Sequence, residues 1–230
     1  MNVSVMERIK LSVDDGYAKW APDYDAYSNG LIMLEEPIVR GLLGNVRDKR
    51  VLDVACGTGR HTLWLAEQGA QVTGVDRNPA MLEVARSKKT SSAVTWKEAD
   101  VASLPFEDRS FDVVLNGLVM EHVREVRPAL AEAHRVLVKG GTFVLSVYHP
   151  SFLLKGVPPH FKHGPDQVEY EIPAFVHLPS EYITVLLELG MRLSHFSEPV
   201  VNDWLIAQKP NWEKHRGMPI AIILQATKED

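Results

Sequence analysis

Val51-Leu52-Asp53-Val54-Ala55-Cys56-Gly57-Thr58-Gly59-Arg60 reads as a short apolar strand that runs into a glycine turn and then into a helix. Val51, Leu52 and Val54 suit a strand buried on both faces, as in a parallel sheet. Gly57 and Gly59 permit a tight turn and the close approach of a ligand to the backbone. The turn alone is ambiguous, because any sharp strand-to-helix junction uses glycine. Its surroundings decide its meaning.

Outward from this stretch, short β-branched runs alternate with helix-period segments from Arg50 to Val147, the pattern of parallel strands joined by helical crossovers. Strands are expected at Arg50 to Val54, Gln71 to Val75, Ala93 to Trp96, Phe111 to Leu115 and Thr142 to Val147. Asn78 caps a helix that begins at Pro79 and turns Met81, Val84 and Ala85 to one side. A second helix is expected over Pro128 to Val138, stopped by a left-handed turn at Lys139-Gly140-Gly141. Past His149, prolines 150, 158, 159, 165, 173 and 179 break the pattern, which suggests a cap over the sheet edge. Ser180 to Leu189 then looks helical, and Arg192 to Phe196 and Pro219 to Ala226 look like strands.

The 230 residues, 45% hydrophobic, suffice for one such domain. The expected organisation is a helical N-terminal lid over 1–49, a ligand-binding core over 50–148, a cap over 149–179, and a C-terminal helix and strands over 180–230. A net charge of −5 argues against nucleic acid or an anionic membrane as partner. One cysteine, Cys56, and the lack of an apolar leader or spanning run point to the cytoplasm. The expected form is a monomer or a homodimer.

Asp53 ends the first strand, Asp76 ends the second and Asp100 follows the third, so three acids line one edge of the sheet. Asp76 lies about 20 residues beyond the glycines, the offset that places a carboxylate on a ribose diol. A nicotinamide dinucleotide would set its pyrophosphate against Asp53, and Thr62 stands where its third glycine belongs. S-adenosylmethionine, with its ammonium and sulfonium, suits Asp53 instead.

Four blocks together resemble the class I S-adenosylmethionine-dependent methyltransferases, in the small-molecule branch that includes quinone-biosynthesis-type enzymes. They are Val51 to Arg60; Val72 to Met81; Ala99 to Phe106 with Phe111-Asp112; and Glu121-His122-Val123 with Arg135 to Gly141. The resemblance spans about residues 50 to 148. It implies an α/β, doubly wound, mostly parallel seven-stranded Rossmann-like sheet with an antiparallel last strand and a small cap. It further implies that Gly57 and Gly59 line the methionine part of the cofactor, with Asp53 beneath, and that Asp76 takes the ribose hydroxyls. Arg77 and Met81 would flank the adenine, Asp100 and the Val101 amide would meet its edge, and the Asn116 carbonyl would approach the ammonium. Tyr17, Trp20, Tyr24 and Asp25 resemble the aromatic N-terminal segment that such enzymes fold over the cofactor.

The methyl acceptor is expected to be a small molecule methylated on oxygen or nitrogen rather than carbon. Either needs a base, and His122 and His149, following the fourth and fifth strands, are the candidates. Phe152, Phe161, Tyr170, Phe175 and His177 of the cap would wall the acceptor pocket. The other histidines carry no assigned chemistry. Alternative readings are a non-catalytic regulatory protein that binds the cofactor, and a metal-assisted enzyme. The latter needs Glu121, His122 and His149 to meet, yet Leu118 stands where such relatives carry an acid, so no metal is assigned.

Overall fold

A computed structural model describes residues 8–26, 29–90 and 92–229. In chain order the strands are β1 (Ile9–Lys10), β2 (Arg50–Val54), β3 (Gln71–Asp76), β4 (Val94–Glu98), β5 (Phe111–Gly117), β6 (Leu137–Tyr148), β7 (His160–His163), β8 (Val168–Glu171), β9 (Met191–Ser197) and β10 (Ala221–Lys228). The α-helices are α1 (Val13–Trp20), α2 (Gly30–Leu43), α3 (Arg60–Glu67), α4 (Pro79–Ser87), α5 (Val126–Val136), α6 (Pro150–Leu154), α7 (Pro179–Glu188) and α8 (Asp203–Gln208).

Seven strands form one sheet in the order β4-β3-β2-β5-β6-β10-β9. The first five are mutually parallel, and β10 runs antiparallel to both β6 and β9. The order reverses beside β2, and such a switch point opens a crevice at the carboxyl ends of the strands. Side chains alternate between two cores as the pleat requires. Leu52, Val54, Val114 and Leu145 pack towards α5 and α7, whereas Val51, Val113, Leu115 and Val144 pack towards α2 and α3. Each fully buried Leu or Val contributes roughly 1.5–3 kcal/mol relative to exposure, so these two layers hold the sheet.

The strands and helices lie where the sequence puts them, with local differences. β4 and β5 each run two residues further, to Glu98 and Gly117. Helix α5 ends at Val136, and Leu137 adopts φ −79° and ψ 136°, so the chain passes directly into β6. Gly140 has the expected left-handed φ of +74°, but it lies within β6, where pairing jumps from Phe111–Leu137 to Val113–Thr142. The glycine accommodates that bulge rather than a helix stop.

The cap holds regular structure that its prolines hid. β7 and β8 form a hairpin, and β1 adds parallel to β8, giving a second sheet in the order β1-β8-β7. Phe161 and Ile172 pack with Trp20 in a third small core, and the Phe161 and Trp20 rings stack with centroids 4.7 Å apart. No helix among the described residues is long and apolar enough to cross a membrane.

Candidate functional site

Two cavities open at the carboxyl edge of the large sheet. The first, of about 340 Å³, lies over the ends of β2, β3 and β5 and is lined by Asp53, Gly57, Asp76, Asp100 and Gly117 among others. Ala55 and Leu118, where β2 and β5 enter their loops, hold left-handed φ angles of +58° and +55° and both line it. Such backbone costs a non-glycine residue on the order of 1 kcal/mol and recurs at binding sites.

The glycine turn is held by a carboxylate. Asp76 Oδ2 accepts the Gly57 N–H and its Oδ1 accepts the Asn78 N–H, both at 2.8 Å. A carboxylate has about four acceptor positions, so each oxygen keeps one for a ligand. Burial raises the Asp76 carboxyl, and the two backbone hydrogen bonds pull it back. Asp53 is buried and accepts the Thr62 hydroxyl at 2.5 Å; burial raises its carboxyl, partly offset by His61 and Thr62.

The N-terminal segment is pinned over this cavity by polar contacts. Asp14 of α1 takes a two-point contact from Arg77, Nε to Oδ1 at 2.7 Å and Nη2 to Oδ2 at 2.5 Å. The Thr58 hydroxyl donates to Asp25 at 2.7 Å, and Lys88 pairs with the same carboxylate at 2.6 Å. Tyr17 meets His122 at 2.9 Å. At the other end, Glu35 of α2 is fully buried and binds Arg60, at 3.1 Å, and the Ser146 hydroxyl, at 2.6 Å.

The second cavity, of about 520 Å³, is walled by Trp20, Tyr148, Phe152 and Trp212, with Glu121, Arg8, His160 and His215 among its polar groups. Tyr17, Tyr24 and Leu118 line both cavities and form the partition between them.

Residues 52–145 match a family model described as a methyltransferase domain. The demethylmenaquinone methyltransferase of Clavibacter sepedonicus is 30% identical over 181 residues, covering 77% of this chain and 72% of that protein. The chain belongs to the class I S-adenosylmethionine-dependent methyltransferases. The ubiquinone/menaquinone biosynthesis C-methyltransferase of Zymomonas mobilis is 36% identical over 149 residues, 62% of this chain. The chain spans 61% of the length of that relative. A solved structure, a putative S-adenosylmethionine dependent methyltransferase from Listeria monocytogenes, has the same fold at a TM-score of 0.74 and 23% identity, covering 88% of this chain and 100% of that one.

In this member of the methyltransferase family the structure brings Tyr17, Tyr24, Asp53, Gly57, Asp76, Arg77, Met81, Asp100, Val101 and His122 to one cavity. Three expected residues stand outside its lining. Gly59 turns α3 instead, and a Cβ there would stand 2.6 Å from the Trp96 ring. Asn116 is buried one residue short of the lining Gly117. His149 lines neither cavity: its Nδ1 accepts the Ser151 N–H, which caps α6, and its Nε2 meets Glu198 at 2.9 Å. With both nitrogens engaged away from the site, His149 is not positioned as a base. His122 also has both nitrogens occupied, by Tyr17 and by the Pro173 carbonyl, and burial pushes it down to about 4.

Glu121 and His122 turn to different cavities and His149 to neither, so the three groups of the metal-assisted reading do not meet. Of the cap residues, Phe175 lines the first cavity and Phe152 the second. Phe161, Tyr170 and His177 line neither; His177 bridges Glu181 and the Val123 carbonyl, tethering the cap. Sequence reasoning missed Glu35, Arg60, His61 and Trp212. Arg60 and His61 follow the glycine turn directly and were open to notice, whereas nothing local marks Glu35 or Trp212.

Proposed function

We propose that this chain binds S-adenosylmethionine in the first cavity and methylates a ring carbon of a quinone-type small molecule held in the second. The observation that carries the reading is Asp76. Both its oxygens are fixed by backbone N–H groups, and each retains one acceptor position for a vicinal diol. Around it, Met81 and Val101 offer apolar flanks for a heterocycle, and Asp100 an acceptor for an exocyclic amine. At the opposite end Asp53 suits an ammonium, and Arg60 and His61 suit a carboxylate.

The cofactor supplies an electrophilic methyl on a sulfonium. The chain's part is to align the acceptor with it, and positioning contributes up to about 7–11 kcal/mol to such displacements. A partition shared by two cavities, formed by Tyr17, Tyr24 and Leu118, supports transfer across it. The aromatic walls of the second cavity suit a flat ring. The name of the Zymomonas mobilis relative, a C-methyltransferase, favours carbon over the oxygen or nitrogen expected from histidine bases, and both relatives' names favour a quinone-type acceptor. The single, buried Cys56 fits a reducing compartment, and we place the activity in the cytoplasm.

Calorimetry with S-adenosylmethionine, followed by assay of S-adenosylhomocysteine with reduced 1,4-naphthoquinone, tests the reading. Asp76→Ala is expected to weaken cofactor binding by roughly 1.5–3 kcal/mol with the fold intact. Unchanged affinity in a folded variant would refute the assignment of Asp76. Cofactor binding without turnover of this acceptor would reject the quinone reading.

A further inference from the structure

Among the described residues of the second cavity, Glu121 alone carries a bare buried carboxylate oxygen. It sits in the short turn after β5, is 4% exposed, and lines that cavity, while its neighbour His122 lines the other. Its backbone is fixed, since its carbonyl accepts the Phe175 N–H at 2.7 Å. Its Oε2 has no hydrogen-bond partner among the described residues. A buried acceptor left so costs on the order of 1–3 kcal/mol, and a ligand hydroxyl would relieve that.

The other polar groups of the cavity serve less well. His160 gives Nδ1 to the Pro158 carbonyl, and Arg8 is a cation held by Glu169. His215 packs its ring against Phe152 and Trp212 with centroids 5.0 and 5.8 Å away. Leu118, three residues before Glu121, belongs to the partition that faces the cofactor cavity. The carboxylate therefore stands on the second-cavity side of that partition.

We propose that Glu121 is the general base of this enzyme, taking the proton of an acceptor ring hydroxyl in the second cavity. The proposal rests on the methyl-transfer reading above and extends it to the acceptor, which must be a phenol or hydroquinone with an unsubstituted carbon beside its hydroxyl. As Glu121 takes the O–H proton, the ring carbon forms its bond to the methyl and the methyl–sulfur bond breaks, its electron pair neutralising the sulfonium. The ring C–H proton then leaves to water, and the Glu121 carboxyl returns its proton to the ring oxygen. One proton is released per methyl transferred, and no oxidant or reductant is consumed.

The surroundings suit a proton acceptor. Burial pushes the Glu121 carboxyl up to about 7, against hydrogen bonds from the backbone at Glu121 and Tyr148 that pull it down. Glu35 of α2 adds to the rise and His177 opposes it. Tyr17, Tyr24, Tyr148 and Tyr182, on α1, the turn after α1, β6 and α7, are held neutral by burial, which raises their hydroxyls, and the Glu121 charge adds to the rise.

Two measurements test this. With reduced 1,4-naphthoquinone as acceptor, Glu121→Gln is expected to lower kcat at least 100-fold, with acceptor KM and S-adenosylmethionine affinity within threefold of the parent. Glu121→Asp, which keeps a carboxylate, should recover part of the rate. Separately, 4-nitrophenol bound in the presence of S-adenosylhomocysteine reads proton transfer without turnover. Its phenolate band should grow on the parent protein and not on Glu121→Gln. Parental kcat in Glu121→Gln, or equal ionisation of nitrophenol on both proteins, overturns the proposal. Failure of the parent to methylate the naphthohydroquinone, with nitrophenol still ionised only when Glu121 is present, would reject the quinone reading and leave Glu121 as the proton acceptor.

Discussion

The Tyr17 hydroxyl stands 2.9 Å from His122 Nε2, and His122 Nδ1 lies 2.8 Å from the Pro173 carbonyl. A carbonyl only accepts, so Nδ1 carries the proton. Burial holds His122 neutral, down at about 4, so Nε2 must accept and Tyr17 must donate. This contact ties α1 to the turn after β5 across the first cavity. Tyr17→Phe leaves Nε2 without a donor and should cost roughly 1–3 kcal/mol of stability. It should also weaken S-adenosylmethionine binding and speed amide exchange in α1, measured by calorimetry and hydrogen exchange. Parental values for both would mean that the Asp14–Arg77 pair and the packing of Trp20 on Phe161 hold α1 without this contact.

Glu35 should govern stability at low pH. Burial favours raising its carboxyl, but His61, the Arg60 guanidinium and the Ser146 hydroxyl outweigh that and hold it at about 2. Its unfolded value is the usual 4.5, so its contribution is full above pH 4.5 and is lost as pH falls from there towards 2. Glu35→Gln should destabilise the protein at pH 7 by on the order of 3 kcal/mol and flatten the acid limb of urea-unfolding stability against pH. An unchanged acid limb would count against the buried pairing.

Glu121 should act with the opposite sign. Unfolded it ionises near 4.5 and folded only near 7, so the folded state binds the extra proton between these values. Stability contributed by this group is therefore lost as pH rises from 4.5 to 7. Glu121→Gln should match the parent below pH 4.5 and exceed it at pH 8 by up to about 3 kcal/mol. Thermal denaturation across that range checks it; a variant less stable at pH 8 would show that Glu121 has a cationic partner.

The two glycines of the turn should separate folding from binding. Gly57 has φ +55°, and an added Cβ would meet only the flexible Met81 side chain, at 3.3 Å. Gly57→Ala should cost about 1 kcal/mol of stability yet lower cofactor affinity more than tenfold, because the methyl enters the cavity. Gly59 has φ +83°, and its Cβ would stand 2.6 Å from the Trp96 ring. Gly59→Ala should cost roughly 2–4 kcal/mol of stability. Urea unfolding and calorimetry on both variants distinguish the two roles, and equal stability losses would erase the distinction.

The alternation of apolar strands with capped helices, and the acids at the strand ends, determined the sheet and one face of the site by themselves. Those features are local: burial sets the period of Val51-Leu52 or Val113-Val114, and the Asn78 cap and Gly57 turn follow from dihedral preference and short-range hydrogen bonds. The placement of Asp14 on Arg77, of Glu35 on Arg60 and Ser146, and of Trp212 and Phe152 around one cavity was decided only in three dimensions. Each joins segments far apart in the chain, and a side chain that pairs with a distant partner looks, in sequence, like any solvated charge or packed ring. His149 shows the converse: its place at a strand end suggested chemistry, but the direction of that strand end and the nearness of Glu198 turned its ring away. Periodicity records which residues are buried, whereas which buried polar groups meet depends on how the layers pack, and that is a property of the folded chain alone.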